Sequence, residues 1–189
     1  MRFAILFAPA CLLGLAAPAA AQPDAAPVIA AQKEAMAPLA VMDGVWRGTA
    51  WTMTPGGRHD VVHTERVGPM LGGSLKVVEG RSYRPDGSVG FNAFGIVSFD
   101  PAARAYSLHS YAMGHKGDFP LTVLPDGYAW EVPAGPGAKI RYTATIGGGK
   151  WREVGDRMVG DAAPMRVFEM NLTRVSDSAW PDGDAVPIR

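Results

Sequence analysis

An imidazole, a carboxylate and an ammonium group in this sequence have a spacing that could bring them together. His63 and Glu65 are two residues apart in an alternating segment, so in a strand their side chains point to the same face. Antiparallel pairing of the next segment predicts Lys76 opposite Glu65. The three groups could orient the polar end of a ligand. Alternatively, His63 could act as a general base oriented by Glu65, with Lys76 stabilising an oxyanion.

A structural role for the same residues is an open alternative. Glu65 and Lys76 could form a salt bridge at the rim of a barrel, with His63 hydrogen-bonded to it, because barrel mouths are commonly polar. Glu153 is a second carboxylate on the predicted inner face, and its position beside the turn at 147–149 predicts that it reaches solvent at the rim. The depth of each group in the fold decides between these interpretations.

Local motifs of catalysis and metal binding do not occur in the sequence. The four histidines show no HExxH or similar spacing, and there is no GxSxG elbow, phosphate-binding loop or paired-carboxylate motif. The single cysteine excludes a disulfide framework and a cysteine-based zinc site. We therefore predict no catalytic residue, no metal and no cofactor, and we favour a protein that is not an enzyme.

The composition excludes one class of partner and favours one class of fold. Eighteen basic and 18 acidic residues in a chain of 189 leave no net charge, which argues against nucleic acid as a partner. The 23 glycines and 16 prolines follow no collagen-like period. They suit many short strands that are joined by tight turns.

The first 21 residues have the features of an export signal. Arg2 supplies a positive start, the run 3–17 is apolar, and small residues precede a predicted cleavage after Ala21. We therefore expect a periplasmic or secreted protein that loses Cys11 with the signal. No later segment reaches the roughly 20 apolar residues that a membrane-spanning helix needs, so we expect no membrane span in the mature chain.

Beyond the signal, the hydrophobic pattern changes from a helical period to a period of two. We predict a linker and short helix over 22–43, a β-barrel over 44–175 and a C-terminal tail over 176–189. Turn signals rich in Pro, Asp and Gly recur along the predicted barrel region, 44–175. They separate ten predicted strands, at 45–53, 59–68, 73–83, 88–100, 104–113, 117–124, 128–132, 139–146, 150–156 and 165–174.

The hairpin at Asp100-Pro101 indicates which residues face inward. It sets Val97 opposite Leu108, and paired residues of antiparallel strands share a face. Carrying this parity from hairpin to hairpin gives a mostly apolar face on every strand. Closing the sheet would bury that face and remove both exposed edges. We therefore predict an all-β fold, an antiparallel up-and-down barrel of about ten strands that the short N-terminal helix caps at one end.

The predicted lumen is the first candidate for a functional site. A ten-stranded barrel has more interior than an eight-stranded one, so it could hold one small apolar or amphipathic ligand, such as a fatty acid, a phenol or a tetrapyrrole. The candidate ligand-binding residues are Trp46, His63, Glu65, Lys76, Phe91, Val97, Leu108, Leu121, Trp130, Tyr142 and Phe168.

An apolar patch on the predicted outer face offers a different function. Phe94, Ile96, Tyr111 and Met113 form this outer patch, which is unusually apolar for a solvated face. It could bind a partner and make the protein an interaction or structural module of the cell envelope, or the helix or tail could cover it. The lumen is our first hypothesis, the outer patch the second and a lumen enzyme that uses His63 the third.

Several segments resemble a family of exported bacterial proteins. The segments MDGVWRG, ERVGPMLGG, GFNAFGIVSFDP and FEMNLTRV look like domain-of-unknown-function family 1579, over roughly residues 40–175. Gly44-Val45-Trp46 also resembles the Gly-x-Trp start of lipocalins, in which the tryptophan closes the barrel base. The resemblance implies a calycin-like barrel of the lipocalin and nitrobindin kind, and no established activity.

The resemblance to nitrobindin also raises haem as a ligand. Haem binding of that type uses a histidine on a late strand, and no histidine follows His115 in this chain. The resemblance therefore leaves haem as a minor alternative, with His63 as an iron ligand from a different part of the barrel.

Overall fold

A computed structural model of the chain describes residues 24–181. The predicted export signal, its cleavage site and the end of the predicted tail lie outside these residues. A helix, α1 (Ala26–Met36), and a 3₁₀-helix (Ala37–Met42) come first. Ten strands follow: β1 (Gly44–Thr54), β2 (Gly57–Met70), β3 (Leu75–Tyr83), β4 (Val89–Asp100), β5 (Ala105–Ala112), β6 (His115–Leu124), β7 (Gly127–Pro133), β8 (Ala138–Gly147), β9 (Lys150–Val159) and β10 (Met165–Ser176).

The strands form a closed antiparallel barrel. Each strand pairs with its neighbours along the chain, and β1 pairs with β10 to close the sheet. The predicted up-and-down barrel of about ten strands is thus confirmed. The closure leaves no long unpaired edge, which an open sheet of this length would expose.

Inward and outward faces follow the predicted alternation. Val97 lies opposite Leu108, and Trp46 lies opposite Glu65, as the hairpin parity predicts. The predicted pairing of Glu65 with Lys76 is wrong, because Glu65 lies opposite Gly80. The turn between β2 and β3 lies later than expected, at Leu71–Gly73, so β2 continues through Pro69 before the chain reverses. The register moves by an even number of residues, and the inward face is therefore unchanged.

The N-terminal helices cap one end of the barrel. Met36, Leu39 and Met42 are buried against the strand ends. The Trp46 indole nitrogen donates a hydrogen bond to the Met42 carbonyl at 2.7 Å, and the Tyr106 hydroxyl donates to the Ala35 carbonyl at 2.7 Å. The predicted cap is confirmed. Neither of the described helices is long and apolar enough to cross a membrane.

Aromatic rings fill the capped end. The rings of Trp46 and Trp151 meet edge to face with their centroids 5.5 Å apart, and Tyr128 meets Trp151 in the same way at 6.2 Å. Both tryptophans are fully buried. This packing forms a solid floor, whereas the turns between β1 and β2 and between β3 and β4 lie at the opposite end.

One glycine lets two strands approach closely above this floor. Gly48 lies opposite His63 on β2 and Leu172 on β10, and a Cβ atom built on it would overlap the Asn171 backbone oxygen. A backbone atom cannot move aside as a side-chain end can. The closure between β1 and β10 at this point therefore requires glycine.

Gly48→Ala should lower the free energy of unfolding by about 1–3 kcal/mol, because the strands must separate to admit the methyl group. The control is Gly56→Ala in the first hairpin, where the new Cβ would meet only Thr54 Oγ1 at 3.6 Å. Urea denaturation compares the two variants with the native protein. An equal effect of both substitutions would contradict this account of β1–β10 closure.

Candidate functional site

A cavity of about 510 Å³ occupies the lumen between the floor and the open end. Its wall is mostly apolar, and Trp51, His59 and Arg84 mark its mouth. Small residues (Ala93, Gly95) leave the space that larger side chains would otherwise fill. Most of the sequence-predicted residues lie on its wall: His63, Glu65, Phe91, Val97, Leu108, Leu121, Trp130, Tyr142 and Phe168.

Two of the predicted residues lie outside this wall. Trp46 is buried in the floor, where it packs on Trp151. Lys76 is buried as well, and its ammonium group forms a salt bridge with the Asp43 carboxylate between the cap and β1. The expected group of His63, Glu65 and Lys76 is therefore not assembled. The reason is the later β2–β3 turn, which sets Lys76 opposite Pro69.

His63 and Glu65 do come together. His63 Nε2 lies 2.8 Å from Glu65 Oε1, and His63 Nδ1 lies 2.7 Å from the Ser82 hydroxyl. Both ring nitrogens are thus engaged. Glycine at position 80 makes room for the carboxylate, since a Cβ there would lie 2.7 Å from Glu65 Oε1.

Glu65 has one oxygen that the protein leaves without a partner. Oε1 bonds to His63, but Oε2 is buried and has no hydrogen-bond partner among residues 24–181. A buried carboxylate oxygen of this kind costs free energy until a donor reaches it. Glu65 is therefore the least satisfied polar group of the cavity wall.

The prediction that Glu153 reaches solvent at the rim is wrong, because Glu153 is buried in the lumen. The Tyr128 hydroxyl donates to its Oε2 at 2.8 Å, and the Trp130 indole nitrogen donates to its Oε1 at 3.0 Å. The β8–β9 turn lies at the capped end, where the 3₁₀-helix contacts β8. A residue near that turn is for this reason covered by the floor and the cap.

Burial sets the protonation of this inner group. It raises the pKa of Glu153, and the nearby charge of Glu65 raises it further, whereas the hydrogen bonds from Trp130 and Tyr128 oppose the shift. Burial first, and then the charge of Glu153, holds the pKa of Tyr128 well above its usual range. The same two causes raise the pKa of Tyr142 to about 12. The deep end of the lumen is therefore a region where negative charge is unfavourable.

An aromatic surface lies beside these carboxyl groups. The rings of Trp130 and Tyr142 stack with centroids 4.6 Å apart and planes at 16°, and Phe168 meets Tyr142 edge-on at 5.6 Å. The site thus combines acceptor groups with extended aromatic faces. Sequence parity predicts that Glu153 faces inward, but it does not reveal the hydrogen bonds with Tyr128 and Trp130, because parity carries no information about depth.

The described residues offer few groups that could ligate a metal ion or haem iron. No group of three or more His, Cys, Asp or Glu side chains that could hold a metal occurs within the described part of the chain. His63 has both ring nitrogens in hydrogen bonds, so neither is free for haem iron. The arrangement is suited to holding an organic molecule by hydrogen bonds and apolar contact.

The outer patch is only partly covered. Trp180, after β10, meets Phe94 edge-on with ring centroids 6.5 Å apart, and Ile96 is half-buried. Tyr111 is 52% exposed and Met113 is 61% exposed. The C-terminal segment therefore contacts one side of the patch and leaves the other side open.

No family model matches the chain, and no curated protein matches its sequence. The class that the fold and the site define is a closed ten-stranded antiparallel barrel with a cavity inside.

The Asp43–Lys76 pair should respond unequally to the loss of either partner. The Lys76 side chain is 3% exposed and that of Asp43 is 31% exposed, so only the carboxylate can reach water when left alone. We expect Asp43→Asn to lower the free energy of unfolding by about 3 kcal/mol and Lys76→Met to lower it by clearly less. Urea denaturation near neutral pH measures both. An equal decrease in the free energy of unfolding for both variants would contradict the burial of Lys76.

Glu153→Gln should change how stability depends on pH. A raised pKa in the folded state means that folding retains the Glu153 proton, so the free energy of unfolding falls as pH rises above the ordinary value of 4.5. The glutamine variant lacks this fall, and its stability relative to the native protein should therefore increase from pH 4.5 towards neutral pH. Denaturant unfolding at a series of pH values gives this difference.

Glu169→Gln is the control for the pH series. Hydrogen bonds from Asn171 and Arg152 lower the pKa of Glu169, so its contribution is complete above 4.5 and is lost only below that value. Its difference from the native protein should be constant over the same range. A constant difference for Glu153→Gln as well would contradict the burial of Glu153.

Proposed function

We propose that this protein is an exported barrel, periplasmic or secreted, that binds one small and mostly apolar molecule in its lumen. The observation that carries the proposal is the cavity of about 510 Å³, which is open at one end and floored by packed aromatic rings at the other. A concave, mostly apolar wall with a few convergent polar groups is typical of small-molecule sites. Export is inferred from the first 21 residues of the sequence.

The composition of the wall supports an apolar ligand. Phe91, Val97, Leu108, Leu121 and Phe168 line the cavity together with the stacked Trp130 and Tyr142. Covering such side chains with an apolar ligand is favourable by about 25 cal/mol for each Å² removed from water. Kinship with the family-1579 barrels belongs to the same proposal and rests on the quoted segments alone.

The lumen is favoured over the two other hypotheses. The enzyme hypothesis requires Lys76 beside His63 to stabilise an oxyanion, but Lys76 is paired with Asp43 and does not line the cavity. An interaction module would use the whole outer patch, but Trp180 already covers its Phe94 side and leaves only the side of Tyr111 and Met113 open. The lumen hypothesis requires only space for a ligand, and the cavity provides that space without any rearrangement of the chain.

A large side chain at position 93 should block the lumen. Ala93 lines the cavity on β4, and its neighbour Asn92 is exposed on the other face of the same strand. We expect the neutral dye Nile red to bind at one molecule per chain, Ala93→Phe to weaken its binding by about tenfold or more, and Asn92→Phe to leave it unchanged. Dye fluorescence titration measures all three proteins.

Equal binding by both phenylalanine variants would place the dye on the outer surface and contradict the proposal. Absence of binding to the native protein, with native mass spectrometry showing no copurified molecule, would contradict it as well. Circular dichroism confirms that each variant keeps its strand structure.

A further inference from the structure

Two carboxyl groups face the deep end of the cavity from different strands. Glu65 on β2 and Glu153 on β9 both line it. The charge of Glu65 helps to raise the pKa of Glu153, so the two carboxyl groups are close enough to interact. Of their four oxygens, three accept hydrogen bonds from described residues, and Glu65 Oε2 accepts none.

Positive charge is scarce at this end of the lumen. His63 is the single basic side chain in contact with the two carboxyl groups among the described residues, and it already bonds to Glu65 Oε1. Lys76 is paired with Asp43 and does not line the cavity. Arg84 lies at the mouth, where it donates to the Val89 carbonyl and the Ser88 hydroxyl. Buried carboxylates require a countercharge or donors, and the protein supplies them incompletely.

The aromatic surface beside the carboxyl groups also suits a cation. Trp130 and Tyr142 line the cavity beside the carboxyl groups, and an aromatic ring attracts an ammonium group that reaches an uncovered part of its face. A carboxylate in the same place would meet two acidic side chains, Glu65 and Glu153. The deep end therefore discriminates between ligand heads by charge.

We propose that the lumen ligand is an amphipathic amine whose protonated amino group lies at the deep end, donates to Glu65 Oε2 and is held between Glu65 and Glu153. The apolar body of the ligand then runs along the wall towards Phe91 at the mouth. This inference rests on the proposed function and specifies its ligand class. A fatty acid, by contrast, could enter only with its carboxylate outward, near Arg84.

The test uses three probes with the same ten-carbon chain, decylamine, 1-decanol and decanoate, and measures each dissociation constant by displacement of Nile red at neutral pH. We expect decylamine to bind more tightly than decanol by about tenfold to a hundredfold, the range of hydrogen bonds to charged groups. Decanoate should bind most weakly. In Glu65→Gln the preference for decylamine, which is the decanol dissociation constant divided by the decylamine dissociation constant, should fall by about tenfold or more.

Glu34→Gln is the matched control, since it removes the same charge from an exposed position of α1 and should keep the native ratio. Glu153→Gln is a second variant of the site, and a lowered ratio is expected there too. Decanol binding and circular dichroism show whether each variant is folded.

The outcomes separate the two proposals. If decanol displaces Nile red and decylamine is no tighter, or decanoate is the tightest, the amine is wrong and lumen binding stands. If none of the three probes displaces the dye, the amine is wrong as well, and lumen binding is then decided by the comparison of Ala93→Phe with Asn92→Phe. A decylamine preference that Glu65→Gln leaves intact would also overturn the inference, because the cation would then lie elsewhere.

Discussion

Closure of the sheet by β1 against β10 is the constraint on which the rest of the structure depends. Once the ladder is closed, every strand has one face inside and one outside, and a side chain's position is decided by the parity of its number along the strand. The closure is tight enough at Gly48 that no larger residue fits. An open sheet would leave the same apolar faces in water and would form no lumen.

The two ends of the barrel are built differently, and this difference leaves a cavity inside the barrel that is open at one end. At one end the cap, Trp46 and Trp151 fill the interior, and the pair of Asp43 with Lys76 joins the chain after the cap to β3. At the other end small residues such as Ala93 leave the interior open. The polar groups just above the floor are thus removed from bulk water and border the cavity.

The side of the sheet that each residue faces could be predicted from the sequence, whereas its depth along the barrel axis could not. Alternation and turn chemistry were sufficient to identify the ten strands, the pairing of Val97 with Leu108 and the inward direction of His63, Glu65 and Glu153. The β2–β3 register was not accessible, because a shift by an even number of residues conserves the alternation and leaves no trace in the pattern.

The same limit explains the errors at the site. Lys76 was predicted next to Glu65 since the turn was placed too early, and Glu153 was predicted at the rim since sequence does not show which end the helix covers. Both errors concern position along the barrel axis, and neither concerns the side of the sheet. The missed polar cluster of Tyr128, Trp130 and Glu153 follows from the second error.

The polar cluster is more costly to the fold than an apolar core would be, and that cost has a physical consequence. Burial disfavours the ionised form of Glu153, and Glu65 Oε2 is without a donor in the described chain. Replacing such groups with packed apolar residues is often neutral or stabilising in other proteins. A molecule that binds only the folded state and donates to these oxygens lowers the free energy of that state. Under the proposed function, the unpaired oxygen of Glu65 and the buried carboxyl group of Glu153 would therefore make ligand binding and folding stability interdependent, most strongly for a ligand that carries positive charge.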